Sequence, residues 1–347
     1  MTLKRLSKIE DDYAKDLPKG NYLDCALGHN PFGCSPRVLE GITRVNPQDI
    51  YLYPSGEERL KESIAEYWGN LSKEEIFLGA GSMGCLQMIN KLLTKGSVVL
   101  GYAPQFLPYI NDAIANGAVY EYVPLKEEDE FSIDVNEIIN NITKKTTFIY
   151  VDNPHNPTGQ VLSLKDIKDI VEEAEKKGAL VIVDEAFGDF MPKKNSAISL
   201  ENENIIVTRS FSKGFGLAGL RIGYCIARGE IRRTLTKIHL PFSTTMLSIK
   251  AAVLALEDKD FLKTVIEGVK SNKARLIKFL KKEFCIAKTH KATPIFLCGR
   301  ESDTYSYFLE RGIVTVPGGE FINLDNSYIR IRVPSDVEEF LKRVTST

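Results

Sequence analysis

Residues 147–159 read Thr147-Phe148-Ile149-Tyr150-Val151, then Asp152-Asn153-Pro154-His155-Asn156-Pro157-Thr158-Gly159. The first five are almost continuously apolar, as in a parallel strand covered on both faces. The prolines and the glycine that follow cannot extend that strand. They force an irregular loop in which Asn156 presents a fixed amide able to donate a hydrogen bond. A buried strand running into a polar loop points to an α/β sheet, whose ligands bind beyond the carboxyl ends of the strands.

The same pattern recurs to either side. Strands are expected at Ile76-Phe77-Leu78, Val98-Val99-Leu100, Leu180-Val181-Ile182-Val183 and Ile205-Ile206-Val207, with helices at Glu57–Trp68 and Leu164–Lys177. In the second helix Ile167, Ile170, Val171 and Ala174 recur at helical spacing, and Gly178 ends it. These residues predict a mainly parallel sheet wound between helices. After Pro241 the pattern changes to a long amphipathic helix near Asp260 to Lys282, then strand-like Ile295-Phe296-Leu297 and Tyr328-Ile329-Arg330-Ile331, a smaller α+β unit. A chain of 347 residues exceeds the usual single domain. The expected division is a large domain over 41–244, with 1–40 and 245–347 forming an N-terminal arm and a small domain. No repeat, low-complexity stretch or flexible linker separates them, so the two are expected to pack around a cleft.

Bulk composition excludes several classes. Lys plus Arg number 45 against 46 Asp plus Glu, a formal net charge of -1 without long blocks of one sign, so neither nucleic acid nor a membrane surface is an expected partner. The acidic run Glu127-Glu128-Asp129-Glu130 reads as a solvated loop. Cys25, Cys34, Cys85, Cys225, Cys285 and Cys298 form no CxxC pair and read as buried free thiols in a reducing compartment. His29, His155, His239 and His290 stand singly, so no metal site is expected. The N-terminal Met-Thr-Leu-Lys-Arg-Leu-Ser lacks the apolar core of a signal peptide, and no apolar run approaches the ~20 residues that span a bilayer. A cytoplasmic protein is expected.

Three further strand ends carry chemistry. Gly79-Ala80-Gly81-Ser82-Met83-Gly84 leads into a helical run, where backbone N–H groups can hold an anion. Asp184-Glu185-Ala186-Phe187 puts a carboxylate at the mouth of a buried strand, costly unless it has a partner such as a protonated pyridine nitrogen. Ser210-Phe211-Ser212-Lys213 supplies an amine able to form an imine, and Arg221 follows eight residues later with a guanidinium suited to a phosphate.

Asn-Pro-His-Asn-Pro-Thr-Gly, Asp-Glu-Ala-Phe, Ser-Phe-Ser-Lys and Gly-Leu-Arg, in that order along nearly the whole chain, resemble the fold-type I aminotransferases, which depend on pyridoxal 5'-phosphate. The resemblance implies that Lys213 holds the cofactor and moves the substrate α-proton, that Asp184 pairs with the pyridine nitrogen, and that Asn156 bonds the ring hydroxyl. It implies a phosphate site of Ser210, Ser212, Arg221 and the Gly81-Ser82-Met83 turn, and an aromatic cover from Phe106. Tyr53 would reach the phosphate of a neighbouring subunit in a homodimer. Arg330 would take the substrate carboxylate, with Arg332 on the same strand face either lining the cleft or lying at the surface.

Within that superfamily, Leu27-Gly28-His29-Asn30-Pro31-Phe32-Gly33-Cys34-Ser35-Pro36 and Tyr53-Pro54 resemble histidinol-phosphate aminotransferases, which adds Asn30 and Asn156 to the expected substrate contacts. Two positions depart from that group. Phe187 stands where a tyrosine usually donates to the ring oxygen, and Val316 stands where an arginine usually precedes the proline. Asp189-Phe190 after Asp-Glu-Ala-Phe also resembles threonine-phosphate decarboxylases. Amino transfer between an amino acid and a 2-oxo acid is the leading expectation. α-Decarboxylation or racemisation is the alternative on the same scaffold. A non-catalytic binding protein would lack Lys213 or Asp184, and a P-loop would need a Lys-Ser/Thr ending that neither glycine turn has.

Overall fold

The computed structural model describes residues 3–7 and 20–346. Met1 and Thr2 of the charged N-terminal stretch lie outside them. The centre is an eight-stranded sheet in the spatial order Lys4–Leu6, Val119–Pro124, Val98–Ala103, Thr146–Asp152, Leu180–Glu185, Ile205–Ser210, Gly223–Ile226 and Ile76–Gly79. From Val119–Pro124 to Ile205–Ser210 the neighbours are parallel. The central strands are buried along nearly their whole length, which is why their sequences are apolar without alternation.

Two strands depart from the parallel expectation: the edge strand Lys4–Leu6 pairs antiparallel with Val119–Pro124, and Gly223–Ile226 reverses direction near the other edge. Gly223–Ile226 runs antiparallel to both Ile205–Ser210 and Ile76–Gly79. A parallel partner needs a crossover, usually a helix, whereas the chain returns here through a loop whose only helical turn is the three-residue Ala218–Leu220. The strand Val119–Pro124 also escaped the sequence reading. It is buried from Tyr120 to Val123, Glu121 included, and Arg5 of the sheet edge donates to that carboxylate at 2.5 Å.

The helix Leu164–Lys177 forms as expected and for identifiable reasons. Ser163 and Asp166 make a reciprocal capping box, Ile167, Ile170, Val171 and Ala174 face the core, and Gly178 closes the helix at φ +76°. The long helix runs Lys259–Leu280. Beyond it lies a second sheet, antiparallel, in the order Cys285–Ile286, Ile295–Gly299, Tyr328–Arg332, Val316–Pro317. Glu127–Asp129 is a single exposed helical turn. Cys25, Cys85, Cys225 and Cys298 are buried, but Cys34 is half-buried and Cys285 exposed, contrary to the reading of all six as buried thiols; Cys285 is the clearest departure. It opens an edge strand with one covered face. No helix among the described residues is long and apolar enough to cross a membrane.

Candidate active site

The carboxyl ends of the parallel strands open into a cleft of about 210 Å³. It gathers Ser82, Met83, Phe106, Asn156, Asp184, Phe187, Ser210, Ser212, Lys213, Arg221 and Arg330 from seven separate stretches of sequence. That is most of the set expected from the strand ends.

Lys213 projects from the loop after Ile205–Ser210, with its ammonium 5.1 Å from the centre of the Phe187 ring. Its pKa is lowered to about 8, first because burial disfavours the charged form and then because Arg330 and Arg221 add positive charge nearby; Asp184 opposes the shift. Far more free amine is therefore present near neutral pH than for an ordinary lysine. Gly28 forms the facing wall. A Cβ there would lie 2.9 Å from the lysine nitrogen and 3.1 Å from the Phe187 ring, so any larger residue would displace the amine.

Asp184 is buried at the end of its strand and accepts from Thr208 Oγ1 at 2.8 Å, Tyr150 OH at 3.1 Å and the Ala186 N–H at 3.1 Å. Burial raises its pKa to about 6, and the neighbouring Asp152 charge adds to the push. Asn156 presents its side-chain oxygen to Arg330 Nη1 at 2.9 Å, while Arg330 Nη2 donates to the Ala26 carbonyl at 2.7 Å. These bonds fix the guanidinium plane.

The other end of the cleft is a small anion cradle. The helix Gly81–Asn90 begins there with Gly81 at φ +75°, and a Cβ on Gly81 would sit 2.7 Å from Arg221 Nη2. Arg221 is itself held at φ +49°, with Nη1 donating to Ser212 Oγ at 3.3 Å and to the Ala218 carbonyl at 3.0 Å. A guanidinium, three serine hydroxyls and a helix N-terminus in one pocket suit a phosphate. A ring placed between Phe106 and the Ala186 side, with its nitrogen toward Asp184 and its phosphate in this cradle, matches the donors and acceptors present, so the residues fit pyridoxal 5'-phosphate.

Several expected positions lie elsewhere. Asn30 does not line the cleft: its amide donates to the Gly214 carbonyl at 2.8 Å and its oxygen accepts from the Phe32 N–H at 2.8 Å. Both polar ends are thus used on backbone beside Lys213 rather than on substrate. Tyr53 is 80% exposed and packs against Phe242, their ring centres 4.9 Å apart and tilted by 33°, away from this chain's own cleft. Arg332 is neither in the cleft nor at the surface. It is buried against Asp24, donating to its backbone carbonyl and pairing with its carboxylate at 3.3 Å. His29 lies 3.5 Å from the same carboxylate. His155 donates from Nε2 to the Pro104 carbonyl at 2.8 Å, so Nδ1 accepts from Thr158 at 2.7 Å; burial lowers its pKa to about 4 and keeps it neutral.

Asp152, Leu27 and Gly28 also line the cleft, although the motifs assign them no role. For Asp152 a signal existed: it ends its strand, Asp184 stands one residue before the end of the next, and the two are paired across the sheet.

Phe187 is buried in the wall and offers no hydroxyl to a ring oxygen. A Phe187→Tyr variant would add a donor that stabilises the deprotonated lysine adduct's ring oxygen. The expected outcome is that the visible absorption band of the bound cofactor titrates at lower pH in the variant than in the wild type. Identical midpoints in a spectrophotometric pH titration would contradict it.

The model of the family described as aminotransferase class I and II matches residues 21–344. The chain is 34% identical over 324 residues to the histidinol-phosphate aminotransferase of Methanococcoides burtonii, covering 91% of this chain and 87% of that one. It is 30% identical to the histidinol-phosphate aminotransferase of Bacillus cytotoxicus, covering 97% and 91%. The fold matches the crystal structure of the histidinol-phosphate aminotransferase from Clostridium acetobutylicum with a TM-score of 0.83 at 24% identity, over 93% of this chain and 98% of that one. With the motifs in their order along the chain and a cleft that fits the cofactor, the chain belongs to the class I and II aminotransferases and depends on pyridoxal 5'-phosphate.

Proposed function

We propose that this aminotransferase holds its cofactor on Lys213 and exchanges an amino group between an amino acid and a 2-oxo acid. The observation that carries the reading is the meeting, in one cleft, of the Lys213 amine, the Asp184 carboxylate and the Asn156-oriented Arg330 guanidinium. When bound, pyridoxal phosphate supplies an electron sink for the pair left at the substrate α-carbon. Lys213, once its amine is free, would take the substrate α-proton on Nζ and hand it on to the cofactor, a task suited to a pKa near 8. Asp184 keeps the pyridine nitrogen protonated. Arg330 takes the substrate carboxylate through its planar fork. Arg221, Ser82, Ser210 and Ser212 anchor the phosphate, and Leu27 and Gly28 close the cleft against water.

A homodimer is part of the proposal. Ile50, Tyr51, Leu52, Tyr53, Leu240 and Phe242 are all exposed, an apolar surface of the kind that marks an interface, and it would deliver Tyr53 to the partner's cofactor phosphate. The division into a large domain over 41–244 and a small domain completed by 1–40 belongs to the same reading, as does a cytoplasmic location.

The donor side chain follows from the charges. The cations lining the cleft among the described residues are Lys213, Arg221 and Arg330, and each has a task. Val316 is the cross-strand partner of Arg330, so its side chain shares that face, where it packs with Ala26, Val314 and Phe321. Arg332 is neutralised by Asp24. An uncharged donor side chain therefore suits the cleft better than a phosphorylated one. Val316→Arg is expected to lower KM for histidinol phosphate roughly tenfold, the value of one charge-assisted bond, and to leave KM for uncharged amino acids within about threefold. Steady-state kinetics over histidinol phosphate, phosphothreonine and uncharged amino acids, with 2-oxoglutarate as acceptor, test this. A wild type that prefers histidinol phosphate and is unaffected by the substitution would refute the side-chain reading.

A further inference from the structure

The end of the sheet beneath the cleft carries two carboxylates, of which the proposed reaction uses one. Asp152 and Asp184 are direct neighbours across the parallel strands Thr146–Asp152 and Leu180–Glu185, both are buried, and both line the cleft. Asp152 accepts from Gln105 Nε2 at 2.8 Å, Tyr102 OH at 3.1 Å and the Asn156 N–H at 2.8 Å. Asp184 has the three donors given above. All six donors are neutral.

The contrast with the next buried acids is informative. Glu185 and Asp189 share Arg209, at 3.0 and 2.5 Å. Among the described residues no lysine or arginine forms an ion pair with Asp152 or Asp184. A buried carboxylate without a cation is expensive, and two side by side repel as well. Burial raises both pKa values to about 6, so at pH 8 both are charged. Lys213 in the same cleft bears on Asp184, but no cation of the protein bears on Asp152, so a further cation bound in the cleft would relieve the pair.

We propose that Asp152 is a second counter-charge to the cofactor's ring cation, so that cofactor binding relieves a repulsion built into the empty pocket. This rests on the cofactor reading above. Asp152 is also a positioning residue: through Gln105 and the Asn156 backbone it ties the loop bearing Phe106 to the loop bearing Asn156, the two sides between which the ring lies.

Thermal melting at pH 8 of the protein stripped of cofactor, then titrated with pyridoxal 5'-phosphate alone, separates charge from scaffolding. In Asp152→Asn the charge goes while the volume stays. The expected result is a smaller cofactor-induced rise in Tm than in the wild type, with the dissociation constant for pyridoxal phosphate raised at least tenfold. Tyr102→Phe removes a donor to Asp152 but keeps the charge, and is expected to keep a rise at least as large as the wild type's. If Asp152 were only scaffolding, Asp152→Asn would lower Tm equally with and without cofactor and leave the rise intact, which would overturn the proposal. Failure of the cofactor reading itself would show separately, as no rise in the wild type.

Discussion

Lys213→Ala is expected to slow amino transfer by about 10⁴-fold or more, because it removes both the covalent tether and the proton-transferring base. The loss should fall on kcat. The phosphate cradle, Asp184 and Asn156 do not depend on Lys213, so the variant should still take up pyridoxal phosphate, but reversibly: dialysis would remove it, and borohydride would no longer fix it to the protein. The lowered lysine pKa gives a further check. Attachment of cofactor to the stripped wild type requires free amine, so its rate should rise with pH and level off above about 8. Stopped-flow absorbance measures that profile, and a plateau reached only near the ordinary lysine value would contradict the geometry.

Asp184→Asn is expected to cost about 10²- to 10³-fold in kcat, the usual range for losing one preorganised electrostatic partner of the transition state. The amide keeps the volume, can still accept from Thr208 or Tyr150 and relieves the repulsion with Asp152, so Tm of the stripped protein should hold or rise rather than fall. What goes is the charge that holds a proton on the ring nitrogen. An N-methylated cofactor analogue, whose ring is permanently cationic, should recover part of the rate in the variant. No recovery, together with a large fall in Tm, would mean that Asp184 is structural.

The strand ends were legible because each couples a run of apolar residues to residues that cannot continue a strand. Prolines after Asp152, Asp184 after Val183 and Lys213 among serines after Ile205–Ser210 all mark places where the chain leaves a buried sheet. The helix Leu164–Lys177 was legible to the residue, since its cap and its stop are local.

What escaped depends on contacts between distant segments. Asn30 sits in a motif beside the cleft, but only the packed structure turns its amide toward Gly214. Arg332 has the periodicity of a cleft residue, and Asp24, three hundred residues earlier, takes it. The direction of Gly223–Ile226 follows from the loop before it rather than from its own four residues. Asp152 was in view but unread, because a carboxylate at a strand end gains meaning only beside its neighbour on the next strand.

The central claim is amino transfer through Lys213, and a half-reaction tests it most directly. Purified holoenzyme is mixed with a panel of single amino donors, with no 2-oxo acid present, and cofactor and products are identified by mass spectrometry. The account predicts that at least one donor converts the bound cofactor to pyridoxamine phosphate and yields its 2-oxo acid in equal amount. Unchanged pyridoxal phosphate accompanied by an amine lighter by carbon dioxide would contradict it and make the enzyme a decarboxylase.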